Sequence, residues 1–453
     1  MGTTADKLQA IIDSKAAIKD AIEAKGVVVG DAPLTQYASK IGEIQQGGDC
    51  EIVEVVEEDY MDDVILIDFD GKVLYRYTAE EFMALTEMPP NPTHEYLTSL
   101  GWNWTLEEAH NYVGLYGKLT IGQYYKPTDG KTRLFITLDN PDFLTPSLNL
   151  AANKCNIDWG DGSAVQAVSG TGVVSHQYPS MGDYIITMEA TTGVTRLGAS
   201  NNKKDRCFGS DINNLRCLRK AYIGDGVYPN FYAFESCENL SQVTGTKITS
   251  YNYCYQNTGL KAFIYPRTYS GSGYLECSCC LDFKVASLPG SWKTTYLYAT
   301  FVKSGIVRLE LPIYPFSPIN VCDTCCNLRH IIIPDGITQL QGALCGGGRI
   351  TELVIPNSVT TIQSIARSCY NLKYIYIGSG MTNMNTGYIF HDSIFLEEVH
   401  IAAVTPPTLQ STVFPAESSF IGTIYVPAES VEAYKTATNW SAYADKIVAE
   451  TQN

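Results

Sequence analysis

Apolar residues return at a nearly fixed interval through the second half of the chain. Leu218, Leu240, Leu260, Leu281, Ile306, Leu328, Ile350, Leu372 and Leu396 each follow a small or polar turn, with successive spacings of 22, 20, 21, 25, 22, 22, 22 and 24. Each anchor opens a short strand, as in Leu328-Arg-His-Ile-Ile-Ile333, Ile350-Thr-Glu-Leu-Val-Ile355 and Leu372-Lys-Tyr-Ile-Tyr-Ile377. A turn follows, Pro334-Asp-Gly336 or Pro356-Asn-Ser358, and then a second apolar segment such as Val359-Thr-Thr-Ile362. One such unit cannot bury its apolar face alone, so neighbours must stack and share a core. The pattern predicts a solenoid with one strand per repeat over residues 201–410.

The pattern differs upstream. Leu8, Ile11, Ile18 and Ile22 fall at core positions of a heptad, with Lys15 at the intervening one. Isoleucine at both kinds of core position favours three or four helices over two, so residues 1–48 are expected to oligomerise the chain, as a homotrimer. An amphipathic helix docked on its own domain would show the same spacing. Gly26 ends this helix, and a second short one starts at Asp31-Ala-Pro33 and runs through Lys40. Between Asp49 and Asp63 lie eight acids and no Lys or Arg, which predicts a solvated linker over 49–63.

Residues 64–140 read as a small α+β module. Val64-Ile-Leu-Ile67 and Val73-Leu-Tyr-Arg-Tyr77 flank a tight turn at Asp70-Gly71, Thr105 caps a helix through Tyr116, and strands follow from Tyr124 and Thr132. Residues 150–190 read as all-β. The whole is a multidomain, β-rich chain.

Charge narrows the function. Lys plus Arg is 32 against 48 Asp plus Glu, a net charge of −16 in 453 residues, which disfavours binding to phosphate backbones. No run of 18 apolar residues suggests membrane insertion. The opening Met1–Asp6 lacks a basic region followed by an apolar run, so no secretory leader is expected and the 14 cysteines are expected as thiols.

Catalytic patterns fail on inspection. Ile65-Leu-Ile-Asp-Phe-Asp-Gly71 imitates the nucleophile strand of a phosphatase, but a return strand follows at once, which is hairpin behaviour. Cys277/Cys280 and Cys322/Cys325 have metal-ligand spacing, but their anchors lie two repeats apart, about 9–10 Å, too far for one four-thiolate site. Cys237, Cys325 and Cys369 each stand three residues before an anchor, where a small thiol packs in a core. The six histidines form no ligand pair, and no nucleophile elbow or phosphate-binding loop occurs. The chain is read as no enzyme, with no cofactor and no metal.

What remains is surface. Tyrosine outnumbers phenylalanine 30 to 15, and residues 222–298 hold 11 of the tyrosines. Tyr251, Tyr253, Tyr255, Tyr265, Tyr269, Tyr274, Trp292, Tyr296 and Tyr298 are the candidate ligand-binding residues, since rigid aromatics with polar tips suit recognition. About half of these are expected in the core instead.

Several stretches resemble known families. Phe234-Glu-Ser-Cys-Glu-Asn-Leu240, Ile365-Ala-Arg-Ser-Cys-Tyr-Asn-Leu372, Pro334-Asp-Gly-Ile-Thr338 and Pro356-Asn-Ser-Val-Thr360 resemble bacterial surface-antigen-type (BspA-like) leucine-rich repeats over about residues 210–440. The tail Ile424-Tyr-Val-Pro-Ala-Glu-Ser-Val-Glu-Ala-Tyr434, with Trp440, resembles that family's terminal cap, which implies a cap over 411–453. Cys155-Asn-Ile-Asp-Trp-Gly-Asp-Gly-Ser163, His176-Gln-Tyr178 and Gly182-Asp-Tyr184 resemble the PKD-type domain, which implies an immunoglobulin-like β-sandwich over 141–200 without activity of its own. Asp68-Phe-Asp-Gly71, Pro90-Asn-Pro-Thr-His94, Gly101-Trp-Asn-Trp104 and the opening Ser14–Lys19 are similar to segments of phage tail proteins, over roughly residues 8–140. That resemblance implies a virion protein, a tail fibre or receptor-binding appendage. Residues 1–48 would join it to other virion proteins, and the repeats would adhere to a bacterial surface glycan or protein. A head-decoration fibre and a bacterial surface adhesin are the alternatives.

Overall fold

In each C-terminal repeat the chain makes two short strands, and each kind stacks on its own counterpart. Glu352–Ile355, Tyr374–Ile377, Glu398–Ile401 and Thr423–Val426 pair in parallel, with Val354, Tyr376, His400 and Tyr425 in register. Thr361–Gln363, Asn383–Met384 and Thr408–Leu409 form the second parallel line. The second apolar segment of the repeat is thus itself a strand, with Ile362 turned inward and fully buried. Leu353, Ile375, Val399 and Ile424 point inward from the first line, each no more than 1% exposed. Their neighbours on either side face outward, as strand alternation requires.

The computed structural model describes residues 60–453 apart from 201, 246, 249–252, 268–272, 275, 293–295, 314–316, 343, 385–386, 417–418 and 452–453. Residues 60–453 form one compact unit. The expected helical segment 1–48, with Leu8, Ile11, Ile18 and Ile22, lies outside the described residues, as does most of the acidic linker. Among the described residues no helix is long and apolar enough to cross a membrane.

Turns between the strand lines use left-handed backbone. Lys303, Thr324, Ser364 and Ser368 have φ of 57°, 60°, 52° and 60°, while Gly342 and Gly347 take the equivalent conformation at 67° and 73° without a Cβ penalty. The thirteen described cysteines are free and eleven are buried, with Cys237, Cys325 and Cys369 fully enclosed in the core. Burial pushes the Cys280 thiol up to about 11.

The N-terminal end of the solenoid is closed by a sheet. Thr132–Leu138, Ser147–Asp158, Gln166–Ser175 and Gly182–Leu197 belong to one seven-stranded sheet that also contains repeat strands Leu218–Ile223, Val227–Pro229 and Gln242–Gly245. Thr132–Leu138 takes Leu218–Ile223 antiparallel, and the end of Gly182–Leu197 takes Val227–Pro229 parallel. Both strand lines therefore start on a paired edge, which removes an open sheet edge. This corrects the boundaries expected at 140/141 and 200/201, because hydrogen bonds run across both. One core continues from Leu134 to Ile447. Within the sheet, His176 Nε2 meets Asp161 Oδ2 at 2.7 Å and stacks on Trp159, and Tyr178 donates to the Trp159 carbonyl at 2.8 Å.

The remaining part of the N-terminal module is a four-stranded sheet in the order Val73–Tyr77, Val64–Ile67, Leu119–Pro127, Leu97–Trp102. Asp68-Gly71 is a hairpin turn, closed by the Asp68 amide on the Lys72 carbonyl. Helix Leu106–Tyr116 is capped by Thr105, whose side chain accepts from the Glu108 amide, and ends at Gly117 with φ 75°.

The C-terminal end is closed by helix Val431–Thr436 and strand Ile447–Ala449, which pairs with Thr423–Val426. Trp440 is buried and donates to the Pro407 carbonyl at 2.8 Å, and Tyr434 donates to that of Ala403 at 2.7 Å.

Candidate functional site

The outer face of the first strand line is divided in two. Over residues 262–332 it is covered by the N-terminal module. Asn103 Nδ2 donates to the carbonyls of Tyr265 and Ser287, Trp104 Nε1 to that of Leu288, and Tyr112 Oη to that of Leu311. Arg267 forms an ion pair with Glu108 on the module's helix. The outward side chains Ala262, Ile264, Val285, Ser287, Arg308 and Glu310 are accordingly buried. This accounts for the irregular composition of the middle repeats: their outward positions belong to an interface, so they carry small or matched groups.

Beyond strand His330–Ile332 the cover stops. The outward residues of the next strands make two columns. One runs Glu352, Tyr374, Glu398, Thr423, and the other Val354, Tyr376, His400, Tyr425, Val448. None of these is a lysine or arginine. The His400 ring stacks on Tyr425 with centroids 4.5 Å apart and planes at 11°, and lies 5.1 Å from Tyr374. His400 Nδ1 is 2.7 Å from Glu450 Oε2, and Nε2 is 3.4 Å from Glu398 Oε2. Burial, with the Glu450 and Glu398 carboxylates nearby, raises the Tyr374 phenol above its ordinary value.

Two grooves flank Tyr376. The first, about 440 Å³, lies between the module and the repeats and is walled by Leu115, Ile332, Val354 and Pro356, with Glu352 at its side. The second, about 600 Å³, is lined by Tyr374, His400, Ile401, Pro427, Glu429 and Glu450. Lys118 borders the first groove and is paired with Asp63 at 3.2 Å. His330 also lines it. Its Nε2 is shut off from solvent with no hydrogen-bond partner, and burial pushes the imidazole down to about 4, so the ring is neutral near pH 7.

Among the described residues, the aromatics singled out in the sequence divide mainly between the core and the second strand line. Tyr255 and Tyr265 are fully buried and Trp292 is 2% exposed, so these three are corrected from candidate ligand contacts to core. For the two tyrosines the physical reason is that their hydroxyls find internal partners. Tyr255 donates to the Ile248 carbonyl and Tyr265 to Glu276 Oε2, both at 2.6 Å, and Trp292 packs on Tyr265. Tyr253 is half-buried, left-handed at φ 61°, and stacked on Tyr232. Tyr274, Tyr296 and Tyr298 sit in strands Gly273–Tyr274 and Tyr296–Tyr298 of the second line. Tyr251 and Tyr269 lie outside the described residues.

Sequence reasoning missed Tyr374, Tyr376, His400 and Tyr425. A signal was present, since Tyr374 and Tyr376 alternate within a strand whose Ile375 and Ile377 face inward. Elsewhere Asp68 of the phosphatase-like strand is buried in the hairpin turn, held by His94 Nε2 at 2.7 Å and the Phe69 amide. Among the described residues no group of His, Cys, Asp and Glu could hold a metal ion.

Residues 320–421 match the BspA type leucine rich repeat region in six copies, so the C-terminal solenoid is of the leucine-rich-repeat class. Solved structures similar to this chain include a leucine-rich repeat protein from Bacteroides ovatus, at 18% identity and TM-score 0.36, covering 46% of this chain and 70% of that one. A leucine rich cell surface protein from Faecalibacterium prausnitzii matches at 15% identity and TM-score 0.27, covering 52% of this chain and 80% of that one. At these levels neither likeness carries an argument about function. No curated protein matches the chain.

Proposed function

We propose that this chain is a non-enzymatic adhesion protein that binds a cell-surface ligand through the uncovered outer face of residues 352–450. The observation that carries the reading is the division of the repeats' first strands into two sheets: the outward side chains of the first sheet are buried beneath the module as far as Ile332, and those of the second, from Glu352 on, open to two aromatic-sided grooves. A repeat stack presents such a face as an extended binding surface. The BspA type repeats support a bacterial surface protein as the carrier of this face.

A second reading rests on the resemblance of residues 8–140 to phage tail segments. There the carrier is a virion, on the tail or head, with residues 1–48 joining a homotrimer to other virion proteins. Antibody labelling of whole cells and of purified particles separates the two carriers. Light scattering of the full chain, beside a version lacking residues 1–48, tests the trimer.

The adhesion reading itself is tested by binding of the labelled full chain to a panel of bacterial cells. Loss of binding in a Tyr374→Ser/Tyr425→Ser variant that melts normally is the expected result. Undiminished binding by that variant on every cell type that the parent chain binds would overturn it.

A further inference from the structure

We propose that the ligand of this face is a basic polypeptide segment, whose lysine or arginine side chains enter the grooves on either side of Tyr376. The inference rests on the adhesion reading above and names the chemistry of its partner.

Charge complementarity is the first argument. The outward columns carry Glu352 and Glu398, two strands apart and so about 9–10 Å along the stack. Glu429 and Glu450 stand across the second groove. The described lining of the first groove includes the cation Lys118, already matched by Asp63. The face therefore offers carboxylates with no lysine or arginine at its centre, Glu352 and Glu429 standing apart from His400, and Glu398 and Glu450 shared with its ring.

The second argument is the state of the rings. His400 and Tyr425 are stacked face to face, so their π surfaces are largely spent on each other. Tyr376 borders both grooves, and no ring stacks on it among the described residues. An open tyrosine face next to carboxylates is a receptor for an ammonium or guanidinium group.

The walls supply the third. Leu115, Ile332, Val354 and Pro356 line one groove, and Ile401, Ala402 and Pro427 the other. Apolar walls leading to carboxylates suit the methylene stem and charged head of Lys or Arg. They would leave the hydroxyls of an amino sugar without partners, which costs binding.

The test uses the full chain and labelled octalysine, with an oligomer of glucosamine as the amino-sugar arm. Binding of the peptide is expected to weaken at least tenfold in Tyr376→Ala and in Glu352→Gln/Glu398→Gln. A charge-matched control, Glu87→Gln/Asp142→Asn, is expected to change it less than twofold, and this control guards against attraction to the net charge alone. The proposal is overturned if the control weakens binding as much as the groove variants. It is equally overturned if the glucosamine oligomer binds the chain and displaces the peptide, because the amine source is then a glycan. Should octalysine fail to bind while Tyr374→Ser/Tyr425→Ser abolishes attachment to cells, the basic-segment proposal falls and the adhesion reading stands. If the Ser variant also attaches normally, both fall.

Discussion

Arg308 Nε donates to Glu310 Oε1 at 2.6 Å, and both residues are buried between the module and the repeats. The guanidinium also donates to the carbonyls of Tyr60, Asp62 and Asp63, so one arginine ties the entry of the module to the third strand of the covered line. Removing one member of a buried pair leaves the other charge uncompensated. Arg308→Met is predicted to destabilise the protein by about 3–5 kcal/mol, and Arg308→Met/Glu310→Leu to recover most of that loss. Denaturant unfolding of the two variants beside the parent checks the order.

The close approach at Gly122 makes a second prediction. A Cβ there would lie 2.6 Å from Ile264 Cγ2 and 2.9 Å from Ser287 Cβ, while the Gly122 amide donates to Asn103 Oδ1 at 2.9 Å. Gly122→Ala is predicted to push the module off the repeats at a cost of about 1–3 kcal/mol. Hydrogen exchange should accelerate in strands Leu119–Pro127 and Val285–Ser287, and little in Tyr374–Ile377.

The left-handed turns give a graded test. Gly347 has φ 73° and its would-be Cβ meets only Thr324 Cα, at an ordinary contact distance of 3.7 Å, so Gly347→Ala reports chiefly backbone strain and should cost about 1 kcal/mol. At Gly342, with φ 67°, the new Cβ would also run into the Asn320 side chain. The melting temperature is predicted to fall in the order parent, Gly347→Ala, Gly342→Ala.

Acid stability follows from Asp161. Hydrogen bonding by Ser163, then by His176, holds its carboxyl well below the usual carboxylate range. A carboxyl depressed in the folded state adds stability above its unfolded pKa, and that stability is lost as pH falls through the folded value. The parent should therefore lose stability progressively below about pH 4. In Asp161→Asn this part of the acid limb is predicted to flatten, as read from melting temperatures between pH 5 and 2.

The solenoid was legible because its inward residues recur with the repeat. Leu353, Ile375, Val399 and Ile424 mark it, and the Cys237, Cys325 and Cys369 positions repeat with it. The second strand line was harder to read, since a strand of three residues such as Thr361–Gln363 shows one inward side chain and no alternation to count. The proposed binding face was not legible for a different reason. Ile264 and Val354 occupy equivalent outward positions, and only the docking of Asn103, Trp104 and Tyr112 across more than 160 residues of sequence decides which is covered. Tyrosine density misled for a related reason, because Glu276 and the Ile248 carbonyl serve buried hydroxyls that composition assigns to a surface.

The most direct test of the account is tyrosine labelling of the full chain, free and after incubation with bacterial cells that retain it, with the labelled positions read by mass spectrometry. Tyr374, Tyr376 and Tyr425 are predicted to lose reactivity on binding. Tyr370 and Tyr388, 55% and 48% exposed and outside the two outward columns, are predicted to keep theirs. Protection of Tyr370 and Tyr388 with Tyr376 still reactive would contradict the claim that the uncovered columns are the binding face.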